Sequence, residues 1–170
     1  MIKLINSHGQ LGTALQNHIQ NVSVEKDVYI YHTWNPWKRD FDTQEHEYKN
    51  FIETVKKYKD KGRIVLISTC SQNDNYYVHF KQRAEAYMIS HIEDCLVIRL
   101  PNLIGNKGIL RKLKERSVTP YGEIEFLTLE SAANQIVDLV SYKGAVKSFS
   151  LKGETISATL ISNILEYTNE

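Results

Sequence analysis

Short apolar runs of strand length alternate with longer stretches of helical period along this 170-residue chain. The runs are Ile2 to Ile5, Val28 to Tyr31, Ile64 to Ile67, Leu96 to Ile98 and a weaker Val146 to Phe149. Each is rich in β-branched, leucine or aromatic residues and lacks strict alternation, the pattern of strands covered on both faces. Between them, apolar positions recur at helical spacing from Leu11 to Ile19, Thr43 to Lys59, Asp74 to His91 and Ser131 to Val140. A last amphipathic stretch, Thr155 to Tyr167, puts Ile156, Leu160, Ile161, Ile164 and Leu165 on one stripe.

Strand and helix in alternation predict an α/β protein: a doubly wound, mostly parallel sheet of about five strands with helices on both faces. Two strand orders fit the pattern. If the first helix packs as in a nucleotide-binding doubly wound sheet, the second strand lies beyond the first, in the order 2-1-3-4-5. The order 1-2-3-4-5 instead leaves Ile2 to Ile5 as a sheet edge that a second copy would cover, so a homodimer is expected. Eight glycines and three prolines, with no linker and no internal repeat, predict one domain over residues 1–170.

Charge and composition narrow the function by exclusion. Twenty-one Lys and Arg against 20 Asp and Glu leave a formal charge of +1, too little field to hold nucleic acid or an anionic membrane. No apolar stretch has the length to cross a bilayer, and Met1 leads into Ile2 without the pattern of a signal sequence, so a cytoplasmic protein is expected. Cys70 and Cys95 lack metal-ligand spacing, and His32, His46, His79 and His91 have no partner at zinc spacing, so no metal is expected.

Two segments carry candidate chemistry. The first strand ends in Asn6-Ser7-His8-Gly9-Gln10-Leu11-Gly12 just before a helix. Glycine at such a turn lets main chain approach a phosphate, with the positive helix end behind it. Asn6 stands where the first glycine of a G-x-x-G-x-x-G turn would be, and asparagine tolerates left-handed backbone angles. Further on, the third strand runs into Ser68 and Thr69, and Tyr77 and Lys81 follow at i and i+4 spacing on one helix face. An ammonium beside a phenol favours the phenolate and suits Tyr77 to exchange protons in a carbinol–carbonyl interconversion, with Thr69 holding the substrate oxygen. The same spacing also suits an exposed tyrosine–lysine pair on a plain surface helix.

These residues resemble the extended short-chain dehydrogenase/reductases, the NAD-dependent epimerases and dehydratases and the dTDP-4-dehydrorhamnose reductase group. Ile5 to Leu15 is similar to that family's glycine turn, Val65 to Thr69 to its active-site strand, and Tyr77 and Lys81 to its Tyr-x-x-x-Lys pair. Leu96 to Gly105 resembles L-R-x-x-N-V-Y-G, Glu125 to Ala132 resembles R-D-F-x-x-V-x-D-V-A, and Phe149 to Ser157 resembles N-V-G-x-G-E-x-I-S. The resemblance implies a small Rossmann-like fold, NAD or NADP as cofactor, and a nucleotide-activated sugar as substrate. It assigns Thr69, Tyr77 and Lys81 to catalysis. It assigns Ser7, Gly9, Gln10, Leu11, Gly12, Lys81 and Asn102 to the cofactor, and Asn102 and Arg111 to the substrate. Residues 106–130 and 151–170 would be what remains of the substrate-side region.

The chain also departs from the family, whose members run to about twice this length, within a single domain of up to roughly 300 residues. Between Gly12 and Ser68 there is room for one strand where the family has three, and the missing part normally reads the adenosine ribose. Asp27 to Thr33 fits either the second position or the family's fourth strand. In the latter case Trp34 crowds space usually left by alanines; in the former, Trp34, Trp37, Lys38 and Arg39 suit a stacked base and a phosphate. The long loop that usually separates the catalytic Thr and Tyr is here Cys70 to Tyr76. A degenerate, non-catalytic scaffold acting as an interaction or regulatory subunit is therefore the alternative reading, with a mononucleotide binder of order 2-1-3-4-5 a third.

Overall fold

The β-branched runs form strands because their side chains fill both sides of a central sheet. The computed structural model describes residues 1–6, 8–20, 22–104 and 122–167. Five parallel strands make the main sheet: β1 (Ile2–Ile5), β2 (Val28–Tyr31), β3 (Arg63–Thr69), β4 (Cys95–Leu100) and β7 (Ser148–Ser150). They lie in the order β1-β2-β3-β4-β7, the second of the two orders that the sequence allows. One row of the register runs from Ile5 through Tyr31 and Leu66 to Val97 and Ser148.

Among the described residues five helices accompany the strands: α1 (Gln10–Ile19), α2 (Phe41–Tyr58), α3 (Tyr76–His91), α4 (Leu129–Val140) and α5 (Ala158–Tyr167). On one face of the sheet, Val28, Ile30, Val65, Ile67, Leu96 and Ile98 pack with Leu15 of α1 and with Ala132, Ala133 and Ile136 of α4. On the other, Tyr29, Tyr31, Ile64, Leu66 and Val97 pack with Phe51 and Val55 of α2 and Phe80, Ala84 and Met88 of α3. Leu15, wholly buried, anchors α1 with about 1.5–3 kcal/mol of burial. His18 adds a polar tie between these helices, its Nε2 lying 2.9 Å from Glu130 Oε1.

This arrangement has a topological consequence. The chain moves in one direction across the sheet from β1 to β2, β3 and β4, yet α1 lies on the face opposite α2 and α3. The β1–α1–β2 crossover therefore has the opposite hand to β2–α2–β3. With α2 and α3 in the near-universal right-handed connection, that of α1 is left-handed. In a doubly wound sheet α1 leads outward to strands beyond β1; here it returns at once to β2, beside β1 on the side of β3. Among the described residues the sheet has no reversal of strand order, and β1 is its edge.

A second sheet was not legible as strand pattern. β5 (Asn102–Ile104) and β6 (Glu123–Thr128) pair in parallel, and β8 (Glu154–Ser157) pairs antiparallel with β6. The main sheet has the five strands expected and this second sheet adds three, while Thr155 to Ser157, expected as helix, is strand. Ile156 is held opposite Ile124 by ladder pairing, which overrides its place in a helical stripe. Helix starts also shift. Asp40 accepts from Thr43 N and starts α2 at Phe41, and Asn75 accepts from Val78 N and starts α3 at Tyr76. Among the described residues no helix is long and apolar enough to cross a membrane.

Candidate functional site

The glycine turn follows β1 and Thr69 ends β3, so both lie at the carboxyl ends of the parallel strands, the end where ligands bind in open α/β sheets. At the turn, Asn6 has φ 54°, the left-handed angle expected of the residue that replaces a glycine. Gly9 has φ 96°, and a Cβ added there would meet nothing within 4 Å. Its carbonyl accepts from Thr13 N at 3.0 Å, so α1 begins with Gln10 and no side chain caps its first amides. Gly12 and Leu11 lie inside α1, Gly12 buried and Leu11 packed on the core. Ser7 lies outside the described residues.

Thr69 is the last residue of β3. Its Oγ1 accepts from Ser71 N at 3.1 Å and bends the chain toward the Asn75 cap of α3. The cap fixes the first turn of α3, which carries the half-buried Tyr77. Burial pushes this phenol above its usual value; the Arg39 guanidinium and then the Thr69 hydroxyl pull against that push. Arg39 lies with Cζ 5.8 Å from the centre of the Tyr77 ring.

Lys81 is placed differently from a solvent-facing lysine. It is 3% exposed, donates from Nζ to the Ile67 carbonyl at 2.7 Å, and lies 4.5 Å from the centre of the Trp34 indole. Burial lowers its ammonium to about 7, against the upward pull of Glu85 and Glu47. Lys81 Nζ is thus directed at main chain and the indole, while Arg39 and Thr69 are the groups that act on the Tyr77 phenol against burial.

Trp34 belongs to a strap, residues 33–40, between β2 and α2. Its Nε1 donates to Gln44 Oε1 at 2.7 Å, and its ring packs on Tyr31 and Phe51. Gln44, wholly buried on α2, also donates from Nε2 to the carbonyls of Asn35 and Lys38 at 2.8 and 2.6 Å. This glutamine escaped the sequence reading. Its signal was a lone polar residue at the start of the stripe that Phe51 and Val55 continue. Trp34 lies against Lys81.

Other expected residues are placed elsewhere. Asn102 sits on β5 and spends its amide on the Glu125 carbonyl at 3.1 Å. Arg111, with the other bases of the 106–122 stretch, lies outside the described residues save Gly122. Cys70 is half-buried, and burial raises its thiol. Among the described residues no group of three or more His, Cys, Asp or Glu is placed to hold a metal ion. His32 Nε2 and Ser68 Oγ are buried with no hydrogen-bond partner among the described residues, and burial lowers the imidazole to about 4.

Two cavities accompany these elements. One of about 540 Å³ lies between the glycine turn (Asn6, His8, Gly9), the strap (Trp34, Trp37) and Asn50 of α2. The other, about 810 Å³, lies at the opposite end of the strands, beside Val28, Arg63 and Cys95. Its charges are spent on one another and on main chain: Arg63 Nε meets Asp94 at 2.7 Å and Lys143 meets Glu25 at 2.6 Å.

No family model and no curated protein sequence matches the chain. Solved structures do. The Bordetella bronchiseptica enzyme WbmG in complex with NAD matches with a TM-score of 0.71 at 16% identity, over 99% of this chain and 78% of that one. A dTDP-4-dehydrorhamnose reductase, an RfbD ortholog from Clostridium acetobutylicum, matches with a TM-score of 0.75 at 13% identity, over 99% and 80%. UDP-N-acetylglucosamine 4-epimerase from Bacillus cereus matches with a TM-score of 0.66 at 14% identity, over 95% and 82%. At these identities the likeness shows the fold. The architecture is the Rossmann-like α/β fold of the epimerase, dehydratase and reductase structures, as the sequence motifs led one to expect.

Proposed function

We propose that this chain is an NAD(P)-dependent protein of the epimerase, dehydratase or reductase type, acting on a nucleotide-activated sugar. The observation that carries the reading is the placement of Thr69 at the carboxyl end of a central strand of this fold, with Tyr77 in the first turn of the helix that follows. The solved WbmG complexes, one with NAD and one with NAD and UDP, support the ligand classes.

The residues fit a dinucleotide unevenly. The turn at Asn6 and Gly9 is open and has the backbone angles that suit a phosphate. At Lys81 the Trp34 indole covers the ammonium, so the lysine reaches a ligand only after the indole moves. When bound, NAD(P) supplies hydride acceptance and return. Tyr77 takes the proton of a sugar hydroxyl or gives it back, Thr69 orients that oxygen, and the turn at Gly9 and Gln10 faces the phosphates with Gly12 packed behind it. In this reading the small sheet β5-β6-β8 forms the substrate side, and the free edge of β1 is where a second copy pairs.

A second reading has its own observation in favour. The Trp34–Lys81 stack, on a sheet with no reversal of strand order, suits a scaffold without dinucleotide that serves as an interaction or regulatory subunit. Titration with NADH and NADPH, followed by ligand fluorescence and melting temperature, separates the two. Binding near the micromolar range supports the enzyme, with about 2.7 kcal/mol of stabilisation at 100-fold excess over the dissociation constant. No shift at millimolar cofactor supports the scaffold. If cofactor binds, Tyr77→Phe abolishes turnover and leaves binding intact; retained turnover removes the role given to the phenol.

A further inference from the structure

We propose that Arg39, in place of Lys81, is the cation that serves the Tyr77 phenol, and that it acts as a positioning residue for the proton chemistry of the site. The inference rests on Tyr77 being the proton-exchanging group, but its test needs no turnover.

Both cations are within reach of Tyr77 by sequence or by fold, and the geometry separates them. Lys81 follows Tyr77 by one helical turn, yet its Nζ is directed at the Ile67 carbonyl and covered by the Trp34 indole. An ammonium held near 7 is also charged in only about half of molecules at neutral pH. A guanidinium stays charged throughout the physiological range. Arg39 brings one to 5.8 Å from the centre of the Tyr77 ring, within the distance at which a cation and an aromatic ring attract.

The strap makes this placement reproducible. Arg39 Nε donates to the Pro36 carbonyl at 3.1 Å, and Asn35 Oδ1 accepts from Trp37 N and Lys38 N. Gln44 then holds the Asn35 and Lys38 carbonyls from α2. Among the described residues no carboxylate pairs with Arg39, so its charge is not already neutralised.

The surroundings of Tyr77 contain no better candidate. From β3 comes the uncharged Thr69 hydroxyl. Just after β2, His32 is an imidazole that burial keeps neutral. On α3, Glu85 is paired with Arg99 at 2.6 Å, and from α2 Glu47 acts on Lys81 and Tyr31. Arg39 and Thr69 are the groups that oppose burial at the phenol.

The test is nitration of Tyr77 by tetranitromethane at pH 8, a reaction of the phenolate, followed at the Tyr77 peptide by mass spectrometry. Arg39→Met keeps the length and cover of the side chain and removes its charge, and Arg39 is exposed, so the variant folds. The expected result is nitration about threefold slower in Arg39→Met, the equivalent of half a pH unit. Arg39→Lys restores most of the rate, and Lys81→Met leaves it unchanged. An unchanged rate in Arg39→Met, no reaction at Tyr77 in the wild-type chain, or a loss in Lys81→Met equal to that in Arg39→Met overturns the proposal. Failure of the dinucleotide reading would show separately, as absence of NADH binding with the nitration pattern intact.

Discussion

The Lys81 ammonium lies 4.5 Å from the centre of the Trp34 indole and donates to the Ile67 carbonyl at 2.7 Å. A lysine that the sequence places beside a tyrosine is thereby turned into the floor of a closed aromatic cage. Two contacts from α2, Gln44 on the indole nitrogen and Phe51 on its ring, and one local contact from Tyr31 hold the indole in place. Whether the site works on a dinucleotide depends on how readily this cage opens.

Shortening the indole tests that dependence directly. Trp34→Leu frees the space over Lys81 while keeping an apolar side chain in the core. If the closed cage limits access, the variant binds NADH about tenfold more tightly, because a smaller share of molecules must first be opened. Fluorescence titration of wild type and variant measures the ratio, and equal affinities would show that the indole is no barrier.

Lys81 also sets a pH dependence of stability. Its folded value is lowered to about 7 by burial, while in the unfolded chain it titrates near 10.4. Between those values the unfolded state binds the extra proton, so stability rises with pH from about 7 upward and is lowest, and level in this respect, below 7. Lys81→Met removes the buried charge and with it this slope, and stabilises the fold at pH 7 by about 1–3 kcal/mol. Urea unfolding at pH 6, 7 and 9 checks both the sign and the loss of slope.

The cap of α3 couples stability to the site. Asn75 accepts from Val78 N at 3.1 Å and fixes the turn that presents Tyr77 to Thr69. Asn75→Ala costs about 1 kcal/mol of stability, and Asn75→Asp costs much less, since aspartate caps equally well. Denaturant midpoints of the two variants are the measurement. A loss as large in Asn75→Asp as in Asn75→Ala would count against the capping role.

What was legible in the chain was local. The apolar runs became β1 to β4 because β-branched content and burial on both faces leave a trace in neighbouring residues. Asn6 could be read as a left-handed residue because it stands where a turn of this kind needs a glycine, and Thr69 as the end of a strand because the apolar run stops there.

Tertiary structure decided the rest, through contacts between distant segments that no local period encodes. The choice between two strand orders, and the opposite hand of the α1 crossover, follow from α1 burying its apolar side against α4, more than 100 residues away. The strands β6 and β8 exist by pairing with each other, so their short and half-polar sequences carried no strand signal. Spacing alone put Lys81 beside Tyr77; hydrogen bonding and dispersion in the cage of Trp34 and Gln44 gave the lysine to the core and left the phenol to Arg39.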